Sequence, residues 1–328
     1  PLRPEDYEAL HADFSAHTPT WATWDDHDFL HDNSVGMSGG VPDPNRIWAR
    51  DVFVDYWPNT AYGEGGHGIY HRFAWADVDV FMVDSRYFKD RDRSAIIGPQ
   101  QRAWLFAGLA SSTATFKIVA DGSDWSSESI VDSWAGSPVE RDALFGHIVA
   151  AQIEGVVLVS GDSHRSELRI LPGADGSYPI PHVVSSGLAT SIRGCPATNE
   201  FFEVDHLSSC FGSDTGGAQS FVTLNVDTTL ADPEVHIAIR DAAGNTARRL
   251  TVKRSALSFR ARAELDPRDA DFDFDGYADL AIGTPDEDTS AVDDGLVQVL
   301  YGSSTHLHTA ANRTWTQAQL FGTNEVGD

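Results

Sequence analysis

Short apolar runs that end on polar residues recur along this chain of 328 residues. V-D-V-F-M-V-D, from Val78 to Asp84, is a mostly apolar strand candidate that closes on a carboxylate, and F-K-I-V-A (Phe116 to Ala120) reads as another. V-V-L-V-S-G-D-S-H-R runs from a buried strand into Gly161, Asp162, Ser163 and His164. Between these runs the apolar period becomes helical. P-Q-Q-R-A-W-L-F-A-G-L-A-S-S starts with Pro99, which suits a first helical turn, and puts Trp104, Leu105, Gly108 and Leu109 on one face. P-V-E-R-D-A-L-F-G-H-I-V-A-A-Q-I-E-G carries Leu144, Phe145, Ile148, Val149 and Ile153 as its stripe, with Gly155 as the expected stop. The alternation predicts an α/β domain, sheet covered by helices, up to about Leu257.

Asp84, Asp162 and His164 each fall just past the carboxyl end of an apolar strand, where open α/β sheets place their ligands. In G-D-S-H, the D-x-H spacing lets a hard oxygen ligand and an imidazole reach neighbouring ions from one loop, and Gly161 allows the tight turn. Asp84 alone reads equally well as a cap or turn residue. W-A-T-W-D-D-H-D, Trp21 to Asp28, crowds three carboxylates and a histidine, and the flanking Trp21 and Trp24 imply burial. Carboxylates held that close need open water or a cation between them. Asp26 and His27 make a pair in which one group binds metal and the other protonates a leaving group near neutral pH. Asp25 and Asp28 then orient those ligands from behind.

Charge sharpens this picture. With 49 acidic and 23 basic residues the formal net charge is −26, which argues against nucleic acid or an anionic membrane as partner and for cations. A solubilising acidic surface explains the same number. No run is apolar and long enough to span a bilayer. Cys195 and Cys210 are the two cysteines, without C-x-x-C spacing; they read either as one disulfide closing a loop in an oxidising compartment or as two unpaired thiols.

W-A-T-W-D-D-H-D, V-D-V-F-M-V-D-S-R-Y-F, I-I-G-P-Q-Q-R-A-W-L-F-A-G-L-A-S-S-T-A-T-F-K-I-V-A and V-V-L-V-S-G-D-S-H-R-S-E-L, in that order, resemble the PhoD-like alkaline phosphatases of the calcineurin-like metallophosphoesterase superfamily. F-V-T-L-N-V-D-T-T-L-A-D-P-E-V-H-I-A-I-R-D-A-A-G-N resembles the end of that family's catalytic domain. The resemblance implies a β-sandwich flanked by helices, a di- or trinuclear cluster of iron(III) with calcium (other divalent ions fit the same ligands), and water or hydroxide attacking phosphorus. D-D-H-D resembles the superfamily's G-N-H-D/E block, so Asp26 takes the metal-bridging position and His27 that of the phosphate-contacting acid, while Asp25 stands where the glycine would. G-D-S-H resembles the last metal-ligand block, making Asp162 and His164 ligands, with Asn33 as a further candidate. Arg86 and Arg165 stand as partners for phosphate oxygens or as surface salt bridges. Nothing in residues 1–20 resembles the superfamily's earlier ligand blocks; the expectation is a chain cut at both ends that binds its catalytic metals poorly.

From Ser258 onward the chain holds 14 acidic against 4 basic residues and changes character. D-F-D-F-D-G-Y-A-D-L-A-I-G-T-P sets Asp271, Asp273, Asp275 and Asp279 around Gly276, so that side chains of a tight loop converge on one hard cation, best calcium. Ile282 stands where an EF-hand needs Glu, and the flanks read as strands. The stretch resembles an FG-GAP repeat, the calcium-binding blade of integrin α-type β-propellers, and one blade cannot close a propeller. The expected organisation is a PhoD-like domain over 1–257, a linker over 258–268 and an incomplete propeller over 269–328. The reading is an exported phosphomonoesterase or phosphodiesterase at the cell surface, in the periplasm or outside the cell. The alternatives are a calcium-dependent binding or adhesion protein on a non-catalytic phosphatase scaffold and a salt-adapted structural module.

Overall fold

In a computed structural model of the chain, the described residues are 12, 15–126, 132–171, 174, 177–187, 192–195, 209–213, 219–259, 280–284, 296–300 and 313–316. The chain divides into two compact units: Pro1–Cys195 with Phe201–Phe259, and Pro196–Glu200 with Arg260–Asp328.

The first unit opens with a single helical turn, Asp26–Phe29 (α1), a two-strand ribbon of Met37–Ser38 (β1) and Val41–Pro42 (β2), and a helix, Arg46–Tyr56 (α2). His71–Trp75 (β3) and Val78–Met82 (β4) form a hairpin at the edge of a larger sheet. Gly98–Ser111 (α3), Phe116–Ala120 (β5), Pro138–Ala150 (α4) and Val156–Ser160 (β6) follow as the alternation predicts. Ser166–Leu171 (β7), Ile180–Ser185 (β8) and Ser209–Phe211 (β9) complete seven strands in the order β3-β4-β5-β6-β8-β7-β9. Strands β4, β5, β6 and β8 run parallel, so the loops leaving β4, β5 and β6 open on one edge.

A second sheet, Ser220–Asp227 (β10), Glu234–Asp241 (β11) and Thr246–Lys253 (β12), is an antiparallel meander. Its Val235, Ile237, Ile239 and Val252 enter the same apolar core as Phe81, Phe116, Val157, Leu158, Leu105 and Ile148, so the two sheets and the helices close on one interior. Burial of this kind supplies about 25 cal/mol per Å² of apolar surface. Helix α3 seats closely because Gly108 has no Cβ: one there would lie 2.7 Å from the Phe81 ring. Its start is capped from a distance, the buried Glu140 of α4 accepting the N–H groups of Ile96, Ile97 and Gly98.

Leu144, Phe145 and Ile148 of α4 are buried as expected, but the helix stops before Gly155. Gln152 takes the left-handed conformation (φ 53°), and Gln152 N–H and Ile153 N–H close back on Val149 and Ile148, which uses up the free carbonyls there. Gly155 (φ 74°) serves the entry to β6, where a Cβ would meet the Thr115 carbonyl at 2.2 Å. The two cysteines are paired: Cys195 and Cys210 form a disulfide with Cα atoms 5.8 Å apart, a loop closure worth about 3 kcal/mol.

In the second unit, Leu280–Thr284 (β13), Leu296–Leu300 (β14) and Arg313–Thr316 (β15) form a three-stranded antiparallel sheet. Asp271, Asp273, Asp275 and Asp279 lie outside the described residues. Among the described residues no helix is long and apolar enough to cross a membrane.

Candidate metal centre

Three loops at the parallel edge and the segment around Trp24 meet in one place. The Asp84 carboxylate, fully buried, accepts from Trp24 Nε1 at 2.7 Å, from the N–H groups of Arg86 and Tyr87 at 3.0 Å, and from Ile69 N–H at 2.9 Å. Thr23 Oγ1 donates to the Val83 carbonyl at 2.7 Å. Trp24 also packs into a small apolar cluster with Phe29, Phe53, Ile69 and Tyr87. On the other side Gly122 lies so close that a Cβ would sit 2.3 Å from the Trp24 carbonyl oxygen and 3.0 Å from Asp25 Cβ. Asp84 therefore acts as the turn residue, anchoring the segment that presents Asp25 and Asp26.

Asp25, Asp26 and Asp162 each offer a carboxylate oxygen, and these lie within 4.8 Å of one another. The buried Asp26 takes His27 N–H on one oxygen and Asn33 N–H on the other, both at 2.7 Å. Asp25 faces Arg86, which donates to its Oδ1 from Nε at 2.7 Å and from Nη2. Asp162 sits in left-handed backbone (φ 65°), as does His164 (φ 57°), the kind of strain that concentrates at functional sites. Burial, then the negative charge of Asp25 and Asp132, pushes the Asp162 carboxyl up to about 8 against the opposing pull of Arg86. Burial raises Asp25 likewise, in spite of Arg86. Two carboxyls held back from ionisation beside the buried Asp26 suit a hard cation, and an all-oxygen donor set fits such an ion, calcium among them, by its chemistry.

His27 is exposed, its Nε2 3.5 Å from Asp32 Oδ1, and with Asp26 and Asp32 it forms a second group of ligand atoms within 4.8 Å. Asp28 is exposed and accepts Asp25 N–H at 3.3 Å, so it supports the turn. The Asn33 side chain donates to Asp32 at 2.9 Å, and its backbone N–H serves Asp26. His164 belongs to neither group of ligand atoms: left-handed backbone at both residues breaks the extended geometry that brings D-x-H side chains to one side. The arginines are not surface salt bridges. Arg86 is 0% exposed, committed to Asp25 and Asp132, and Arg165 is buried against Glu167.

Asp132, Asp124 and Asp121 also border this region, and no spacing in the sequence marks Asp132 or Asp124. Asp132 receives Arg86 Nη1 and Nη2 at 2.6 and 2.9 Å and Lys89 Nζ. Asp121, buried between Trp134 Nε1 and Ser85 Oγ, is pushed up to about 7 by burial, against those hydrogen bonds. Asp124 binds Arg169 and Ser163. The one signal for Asp121 was its place directly after an apolar strand, the position already noticed at Asp84.

Comparison with known proteins identifies the family and the fold. A family model described as PhoD-like phosphatase matches residues 4–192, and one for the FG-GAP repeat matches residues 270–300. "Alkaline phosphatase D" of Bacillus subtilis (strain 168) is 25% identical over 205 residues, 49% of this chain and 35% of the relative, so the chain spans about a third of that protein's length. A solved structure titled "Structure of PhoD" superposes with a TM-score of 0.55 at 18% identity, covering 78% of this chain and 59% of that one, which shows the shared fold. With a match over more than half its length, the chain belongs to the PhoD-like phosphatase family.

Proposed function

We propose that this protein hydrolyses phosphate monoesters or diesters by a metal-dependent route, as an exported enzyme. The observation that carries the reading is the convergence of Asp25, Asp26 and Asp162 within 4.8 Å at the open edge of the parallel strands. These three carboxylates would hold a cluster of iron(III) with calcium. Such a cluster supplies Lewis-acid polarisation of the phosphoryl oxygens and lowers the pKa of the attacking water.

The chain's own residues do the rest. Arg86 offsets part of the negative charge and, through Asp25, fixes the cluster's position. His27, exposed beside it and partnered by Asp32, holds the proton delivered to the leaving oxygen. The Asp271, Asp273, Asp275 and Asp279 loop takes a separate calcium ion in an FG-GAP blade that follows the phosphatase domain. The disulfide and the acidic composition support a location outside the cytoplasm.

Metal content and turnover of p-nitrophenyl phosphate and its bis ester, measured on the protein as encoded, test the proposal. Metal-dependent turnover by the encoded protein supports it. Its inactivity with iron, calcium, manganese and zinc would leave a calcium-dependent binding protein on a phosphatase scaffold as the better reading.

A further inference from the structure

The loop that carries Asp162 is strained on both sides of Ser163, with Asp162 and His164 each in left-handed backbone. A non-glycine residue in that conformation is disfavoured and persists only where its surroundings over-determine it. Ser163 is where that restraint is applied. Its side chain is buried and its Oγ donates to Asp124 Oδ2 at 2.7 Å. Asp124 is itself immobilised: it accepts Ser126 N–H at 2.8 Å and Arg169 Nη1 at 3.1 Å on both oxygens, while Arg169 Nε reaches Glu167 at 2.7 Å. All of these groups are buried, and none of them belongs to either group of metal-ligand atoms.

Ser123, the residue before Asp124, points its hydroxyl the other way and donates to Asp25 Oδ1 at 3.2 Å. Two consecutive residues of the β5 loop thus reach the two sides of the carboxylate group, Asp25 directly and Asp162 through Ser163. Gly161 N–H bonds to the Gly122 carbonyl at 3.0 Å and closes the same junction along the backbone.

We propose that Asp124 is a positioning residue for the metal centre, holding Ser163 so that the adjacent Asp162 carboxylate stays within coordinating distance of Asp25 and Asp26. The inference rests on the metal-binding reading of those three carboxylates and adds to it the device that sets their separation. Partners of this kind, one step removed from the ligands, change metal affinity by roughly 10- to 100-fold when removed.

The test uses the encoded protein with Asp273→Ala and Asp275→Ala introduced, so that the acidic tail does not contribute, stripped with chelator and titrated with Mn²⁺ by calorimetry. Ser163→Ala is expected to weaken Mn²⁺ binding roughly 10- to 100-fold while lowering the metal-free melting temperature by only about 2–4 °C, the loss of one hydrogen bond. Asp124→Asn is expected to weaken it as much or more. Asp162→Asn separates the positioning role from the metal assignment. If it abolishes binding while Ser163→Ala leaves affinity unchanged, the positioning role is overturned and the metal centre stands. If Asp162→Asn also leaves affinity unchanged, the metal assignment falls and the positioning role falls with it.

Discussion

Arg86 and Asp132 form a two-pronged ion pair, Nη1 to Oδ1 at 2.6 Å and Nη2 to Oδ2 at 2.9 Å, across 46 positions of sequence. The same guanidinium grips Asp25, so one buried cation ties the loop after β4 to the carboxylate group. Removing it takes the guanidinium from the half-buried Asp25 and leaves the buried Asp132 to Lys89. Arg86→Ala is expected to lose about 3–5 kcal/mol of stability in denaturant unfolding, as for broken buried ion pairs. Arg86→Lys recovers little, because an ammonium cannot make the fork. Burial alone would raise the Asp132 carboxyl, but Arg86 and Lys89 outweigh it and hold it below the usual range. Its stabilising contribution is therefore present above the unfolded carboxylate pKa of about 4 and is lost as pH falls through the depressed folded value. Thermal melts below pH 4 should show this loss in the native protein and a smaller one in Arg86→Ala.

Gly122→Ala should force the Trp24–Asp25 segment away from the β5 loop, since the added Cβ would meet the Trp24 carbonyl at 2.3 Å. The expected cost is about 1–3 kcal/mol, with weakened metal binding. Gly146→Ala is the control: nothing lies within 4 Å of its Cβ in α4, and about 0.5–1 kcal/mol of stabilisation is expected there. Paired unfolding curves and metal titrations check both.

Asp84→Asn replaces an acceptor of four N–H groups by an amide that must turn a donor toward some of them. About 1–3 kcal/mol of stability should be lost, while the folded fraction keeps its metal stoichiometry. A folded variant devoid of metal would instead make Asp84 a ligand.

His27→Ala should lower phosphatase turnover by about 10²- to 10⁴-fold, the usual contribution of a proton donor, with metal content retained. Equal losses of metal and turnover would assign His27 to the cluster rather than to the leaving group.

For the tail, Asp273→Ala with Asp275→Ala should remove bound calcium from the FG-GAP stretch. Equilibrium dialysis showing unchanged calcium stoichiometry would rule that loop out as a site.

Strands β4, β5 and β6 and helices α3 and α4 were legible in the sequence because an element's apolar period is local: each side chain's face follows from its spacing. The same held for the placing of Asp162 at a strand end and for the burial of Trp24, which is 1% exposed. The stop of α4 was misplaced for a local reason too, since Gln152 adopts the conformation expected of glycine.

What the chain pattern determined, then, was the alternation of elements, the edge on which the loops gather and the carboxylates they carry. Tertiary structure alone decided which charges pair. Arg86 bonds across 61 positions to Asp25, Ser163 across 39 to Asp124, and Glu140 across 44 to the start of α3. No spacing rule reaches that far: such pairs exist because folding removes water from these groups, and a desolvated charge must find a partner wherever the packed backbone brings one within reach.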